Sequence, residues 1–229
     1  MRRNCSLEEI SDGKLYKRND MVRANCMDCK GCSDCCQGMG NSIVLDPLDI
    51  HRFMVHFKQN FQGFLEQGFI ELNVVDGLIL PNLTMAGDRE ACTFLDENGR
   101  CSIHAVRPGI CRLFPLGRYY ENHEFSYFLQ VHECKMPNKA KIKVHKWIDT
   151  PDLQQNEQFV VSWHYLLNDV EQMVKNMTDE AAAKQLDMTL LQYFFINPYT
   201  EGMFYEEFAK REQAFRNAFE LDCESMSYS

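Results

Sequence analysis

The spacing of apolar positions changes character along this chain. Up to about residue 140 the apolar residues come in short runs separated by turn signals, and from about Lys141 onward they recur at helical intervals. The segment "DPLDIHRFMVHF" predicts a helix with Asp46 as its cap and Pro47 as its first residue, and Ile50, Phe53, Met54 and Phe57 then share one apolar face. "FIELNVVDGLILPNL" predicts a hairpin turning at Asp76-Gly77, and "LGRYYENHEFSYFLQ" a second one turning near Asn122-His123. "SIVL" is a short strand candidate, and Met1 to Ala24 is polar enough to be a helix or a loose arm. In the C-terminal part, Thr150-Pro151 opens a helix that runs into the amphipathic "FVVSWHYLLNDVEQMV", and a second helix starts at Thr178 or Asp179. In "YEEFAKREQAFRNAFEL", Phe208, Phe215 and Phe219 fall on one side. The fold class expected is α+β: residues 1–25 an N-terminal arm, 26–140 a cysteine-rich domain with short hairpins fastened by metal, and 141–229 an extension of three or four helices packed on it.

Composition narrows the function. The chain has 229 residues, 45% of them hydrophobic and 25% charged, which is ordinary globular material with no repeat or low-complexity segment. Its formal net charge of -9 argues against nucleic acid and anionic membranes as partners, since both require a basic face. The N-terminal "MRRNCSLEEISDGK" lacks the apolar stretch of a secretory signal, and no window of eighteen apolar residues is present. The location expected is therefore the cytoplasm, where thiols stay reduced. Eleven cysteines in that setting, an odd number, point to metal ligation or redox chemistry and away from a disulfide framework.

Five of those cysteines stand in "CMDCKGCSDCC": Cys26, Cys29, Cys32, Cys35 and Cys36. Two-residue spacers let a tight turn aim two sulfurs at one ion, as zinc and iron–sulfur sites both require. Read from Cys26, the ladder is C-x2-C-x2-C-x3-C, the ferredoxin-type spacing with Gln37 in place of the usual proline. Read from Cys29, it is C-x2-C-x2-C-C. The adjacent Cys35 and Cys36 diverge too far to be aimed easily at one ion, so they either serve different centres or include a spectator. A C-x3-C-x2-C spacing is absent. Ionising one thiol costs roughly 2 kcal/mol at neutral pH, and closing the loop to Cys92 adds about 3–4 kcal/mol. A structural zinc site returns about 10–16 kcal/mol, so one centre joining ladder to mid-chain cysteines offsets its own ordering. Cys5 and Cys223, near the ends, suit the role of small buried hydrophobes.

The second informative stretch is "CTFLDENGRCSIHAVRPGICRLFP", with a turn at Asn98-Gly99 and a helix opened by Pro108. Cys111 then falls in a first helical turn, where backbone N–H groups favour a thiolate. Arg107 and Arg112 either supply positive charge behind a set of thiolates or face solvent or a carboxylate. His104 and His132 lie beside cysteines, and a hydrogen bond to sulfur or a solvated ring is the expected role of His132. His164, next to Trp163, reads as a packing residue.

"CKGCSDCC", "CTFL…GRCSIHAVRPGICRLFP" and "HEC", taken together, resemble the YkgJ-type cysteine-cluster family, a CxxCxxCC domain to which zinc or iron chelation is ascribed. The resemblance covers roughly Cys26 to Cys134 and weakens through "KWIDTPDL" and "VVSWHYLL". It implies eight metal ligands: Cys29, Cys32, Cys35, Cys36, Cys92, Cys101, Cys111 and Cys134. Cys26 is extra to that pattern, and Arg107, Arg112, His104 and His132 stand behind the ligands. The cofactor implied is an iron–sulfur cluster or zinc. Flagellin lysine N-methylases of the FliB type carry a similar cysteine region associated with an iron–sulfur centre. That makes a protein-modifying lysine N-methyltransferase, with a protein substrate or partner, the alternative function. A Gly-rich nucleotide fingerprint is missing, since "QGMGNSI" supplies two glycines and no third. A ferredoxin-like electron carrier is the second alternative.

Overall fold

The computed structural model describes residues 6–26 and 32–221. In chain order the elements are α1 (Leu7–Ile10), β1 (Ser11–Tyr16), β2 (Met21–Asn25), α2 (Pro47–Phe57), α3 (Phe61–Glu66), β3 (Ile70–Val75), β4 (Leu78–Leu83), β5 (Met85–Ala86) and β6 (Ala91–Cys92). There follow α4 (Gly109–Leu113), β7 (Leu116–Glu121), β8 (Glu124–Gln130), β9 (Ala140–Lys143), α5 (Val144–Ile148), α6 (Leu153–Asn176), α7 (Glu180–Leu191), a π-helical turn (Gln192–Ile196) and α8 (Phe204–Ala218). Short antiparallel pairings with several C-terminal helices make this an α+β fold, as the apolar pattern predicts.

Both hairpins turn where the sequence places them. Asp76 and Gly77 have φ of 51° and 90°, and Asn122 and His123 have φ of 50° and 56°, the left-handed pairs whose twist suits two-residue connections. The start of α2 is also as read. Asp46 and Asp49 each accept from the other's backbone N–H, at 2.9 and 3.2 Å, and Pro47 needs no donor there. Two expectations fail. Residues 6–25 are no loose arm: beyond the four-residue α1 they form strands, with β1 pairing β8 and β2 pairing β9, and Val22 and Ala24 are fully buried. A polar segment becomes an edge strand when only its alternate residues are needed inside. "SIVL" shrinks to an isolated bridge between Val44 and Asn82. In addition, α6 starts two residues after Pro151, because Asp149 and Asp152 both take left-handed backbone conformations and reverse the chain first.

Two apolar clusters hold the molecule together. The smaller joins Val22 and Ala24 of β2 to Leu113, Leu116, Tyr127, Leu129, Val144 and Ile148. The larger runs from Ile43 and Phe53 through β3–β4, Phe94 and Ile103 to Trp163, Phe194, Phe208 and Phe215 of the helices. Most of its aromatic rings meet edge-on or tilted at centroid separations near 5–6 Å, as with Phe69–Phe94 at 5.0 Å and Trp163–Phe194 at 5.2 Å. The Asp187 carboxylate on α7 accepts the Ile79 N–H at 3.3 Å and so fixes that helix on the β3–β4 hairpin. Among the described residues no helix is long and apolar enough to cross a membrane.

His51 of α2 lies in this core, 7% exposed and stacked on Phe204 at 5.5 Å. Burial lowers its pKa below the usual 6.5. Arg52 and Arg211 act in the same direction, and Glu201 and Glu207 oppose them. The folded state therefore prefers the neutral ring, and stability is complete above the unfolded-state pKa and lost as pH falls below it. We expect His51→Phe to remove that part of the acid sensitivity. Denaturation at pH 7.5 and 5.5 should show the native chain losing more stability than the variant, by at most about 1.4 kcal/mol per pH unit.

Candidate metal centre

The ladder re-enters the described chain at Cys32 and winds into a 3-10 turn, Asp34–Cys36. Gln37 then bridges Ala91, and the Gly38 N–H donates to the Glu90 carbonyl at 3.0 Å, which lays this turn beside β6 and Cys92. Past Cys92 the chain folds back on itself. The Asp96 carboxylate accepts the Asn98 and Arg100 N–H groups, Gly99 has φ of 70°, and Leu95 bridges Cys101. Arg107 and Pro108 stay extended, with ψ near 150°, and α4 begins. There the Gly109 N–H donates to the Asp49 carboxylate at 2.8 Å, so the cap of α2 also positions the helix that carries Cys111.

Cys32, Cys35, Cys36, Cys92, Cys101 and Cys111 consequently border one cavity of about 970 Å³. Asp46, Asp49, His104 and Arg107 border the same space. Farther along it stand Arg118, Tyr120 and His164, with the Tyr120 and His164 rings stacked at 3.7 Å. His164 is thus a cavity-lining residue, not simply packing. A second hollow, of about 20 Å³, is lined by Cys26, Cys32, Cys35 and Cys134 together with Phe114, Pro115 and Trp147. Cys29, Cys5 and Cys223 lie outside the described residues.

Charge round the cavity runs in one direction. Burial pushes the Cys111 thiol well above its ordinary value, and Asp49, Cys92, Cys35 and Cys101 add to the push. Burial likewise raises Cys92 and Cys101, and Cys134 beside Cys26 and Cys32. Cys35 is raised first by its hydrogen bond with the Cys36 thiol and then by burial. The N-terminal turn of a five-residue helix does not make Cys111 a thiolate, because desolvation outweighs it. Asp49 is pushed up to about 7, by burial first and then by Asp46.

The basic residues divide. Arg107 donates to His104 Nδ1 at 3.0 Å and to the His104 carbonyl at 2.8 Å, and its charge draws the Cys101 thiol downward. Arg112 is only 6% exposed, and its guanidinium is taken up by backbone carbonyls of Ala105, Arg107 and Asp149. It braces the loop, and it borders the same cavity as the cysteines. His132 is exposed and borders neither cavity. Asp46, Asp49 and Arg118 were not among the candidate site residues. The capping motif at Asp46 was legible, but that it borders the cysteines' cavity depends on the long-range contact to Gly109.

This donor set fits a thiophilic ion. Thiols are the ligands that zinc and iron–sulfur centres use, each giving up its proton to bind. Among the described residues no three His, Cys, Asp or Glu side chains close round a single point, so an ion held here would have to draw the sulfurs in from their places round the cavity. Residues 28–142, half of the chain, match the model of the CxxCxxCC family, described as "Putative zinc- or iron-chelating domain". The chain belongs to this family. Zinc or iron chelation is accordingly the function ascribed to the CxxCxxCC domain here, and the cysteines are the part of it with the chemistry to do so. No solved structure matches the chain.

Proposed function

We propose that the chain is a cytoplasmic protein whose cysteines hold an iron–sulfur cluster, with zinc as companion or substitute. The observation that carries this reading is that Cys32, Cys35, Cys36, Cys92, Cys101 and Cys111, from segments about sixty residues apart in sequence, border one cavity. That is more thiol than one tetrahedral ion takes up. Oxygen-free purification followed by an absorption spectrum and elemental analysis tests it. Iron with acid-labile sulfide and a visible spectrum that bleaches on reduction is the expected result. A colourless protein holding only zinc overturns the iron–sulfur reading and leaves chelation standing, and a metal-free protein overturns both.

The same cavity favours a second reading, in which the chain is an enzyme. Arg118 lines that space, and its Nε is buried without a hydrogen-bond partner among the described residues, a donor suited to an acceptor on a bound molecule. Lysine N-methylation of a protein is the form of activity that the likeness to flagellin methylases suggests. Equilibrium binding of S-adenosylmethionine to the metal-loaded chain, with methyl transfer to a lysine peptide, is the test. Absence of both rejects methylation.

A further inference from the structure

We infer that the thiols serve two separate metal centres, one held by Cys92, Cys101 and Cys111 with one thiol of the adjacent Cys35–Cys36 pair at the large cavity, the other by Cys26, Cys32 and Cys134 around the small hollow. This rests on the proposal that the thiols hold zinc or iron, and it goes beyond the family match, which begins at residue 28 and so leaves Cys26 out.

The backbone makes the division. β2 ends at Asn25, and Asn25 pairs with Ala140 of β9. That pairing brings Cys26, the next residue and 4% exposed, against the 134–139 loop. The same loop is closed by Lys139, whose ammonium donates to the Cys134 carbonyl at 2.7 Å. Cys26 and Cys134 therefore meet through a strand pair that takes no part in the large cavity. On the other side, the Gln37–Ala91 and Leu95–Cys101 bridges gather the 3-10 turn, Cys92 and Cys101, and the Asp49–Gly109 hydrogen bond adds Cys111. The linings follow this plan. Cys26 and Cys134 border only the small hollow, Cys36, Cys92, Cys101 and Cys111 border only the large cavity, and Cys32 and Cys35 form the partition. The adjacent Cys35 and Cys36 both border the large cavity, so this pair supplies the ladder's thiol to that centre. The ladder spacing suits the arrangement, because in two-cluster ferredoxins a run of this kind also sends its last cysteine to a different centre from the rest.

The test uses the metal-loaded full chain. It is titrated with a chelator under reducing, oxygen-free conditions, aliquots are alkylated, and the modified cysteines are located by peptide mass spectrometry alongside metal analysis. Two steps are expected, with Cys26, Cys32 and Cys134 becoming reactive together in one, and Cys92, Cys101, Cys111 and one of Cys35 and Cys36 in the other. A single step for all seven means one centre and overturns the division, while chelation itself stands. Thiols that react freely in a metal-free chain overturn the underlying reading. Cys26→Ser and Cys111→Ser provide the second measurement, each expected to lose one centre's metal and keep the other's, the retained centre reporting that the variant has folded. Full metal content in Cys26→Ser overturns the assignment. If either variant fails to fold, the titration of the native chain decides.

Discussion

Replacing Arg112 by alanine is expected to destabilise the chain by about 3–6 kcal/mol and to leave it unable to retain metal. The side chain lies 6% exposed between α4 and α5, and it donates to the Ala105 carbonyl, to the Arg107 carbonyl at 3.2 Å and to the Asp149 carbonyl at 3.0 Å. Truncation leaves three carbonyls without their donor, at about 1–2 kcal/mol each. The loss is not evenly spread. Two of those carbonyls belong to the 105–107 stretch that joins Cys101 to Cys111, and the third terminates α5, whose Val144 and Ile148 are core residues. Arg112 is thus a positioning residue: it clamps the thiol-bearing loop onto the smaller apolar cluster. Arg112→Lys should recover no more than about a third of the loss, because an ammonium cannot reproduce the planar fork that reaches three acceptors at once. Chemical denaturation with parallel metal analysis of both variants tests this. An alanine variant that keeps its stability but loses metal would show the guanidinium acting on the centre directly.

The sequence made the hairpins and the α2 cap plain because their causes are local. Asp76-Gly77 and Asn122-His123 can take left-handed φ, and Asp46-Pro47 supplies both a cap and a missing donor. The helices from Leu153 onward were equally legible, since Trp163, Phe208 and Phe215 repeat at helical spacing and all end up buried. What the sequence hid was set by distant partners. Ser11–Tyr16 and Met21–Asn25 become strands because β8 and β9, more than a hundred residues away, offer them edges. The candidate cysteines were visible as a set, but their grouping was not. Cys26 was extra to the eight cysteines that the family resemblance implies, and only the Asn25–Ala140 pairing puts it beside the Cys134 loop. Arg112 looked like charge for the metal, because a sequence cannot show carbonyls arriving from residues 105, 107 and 149.

Removing the metal is expected to unfasten the thiol segments while the helices hold. The two regions are built differently. Between residues 84 and 111 the backbone is secured by the two-residue strands β5 and β6, two isolated bridges, a 3-10 turn and the short α4, with Phe94 and Ile103 as the buried anchors. The helices α6, α7 and α8 enclose a continuous aromatic core in which Phe194 stands 5.7 Å from Phe208 and 5.5 Å from Phe215. A structural zinc site contributes about 10–16 kcal/mol to the fold that forms it, and the thiol segments have few other contacts to replace it. Stripping the metal with a chelator, under reducing conditions, should therefore raise amide hydrogen exchange in residues 32–42 and 85–111 by at least about 100-fold, equivalent to about 2.7 kcal/mol of local opening. Amides of α6 and α8 should change little. Acid should act like the chelator: burial holds the unligated thiols in their protonated form, so each must release a proton to bind, and affinity falls as pH is lowered. Unchanged exchange in 85–111 after complete metal loss would mean that Phe94 and Ile103 alone hold these segments, and that the metal is a passenger on a preformed site.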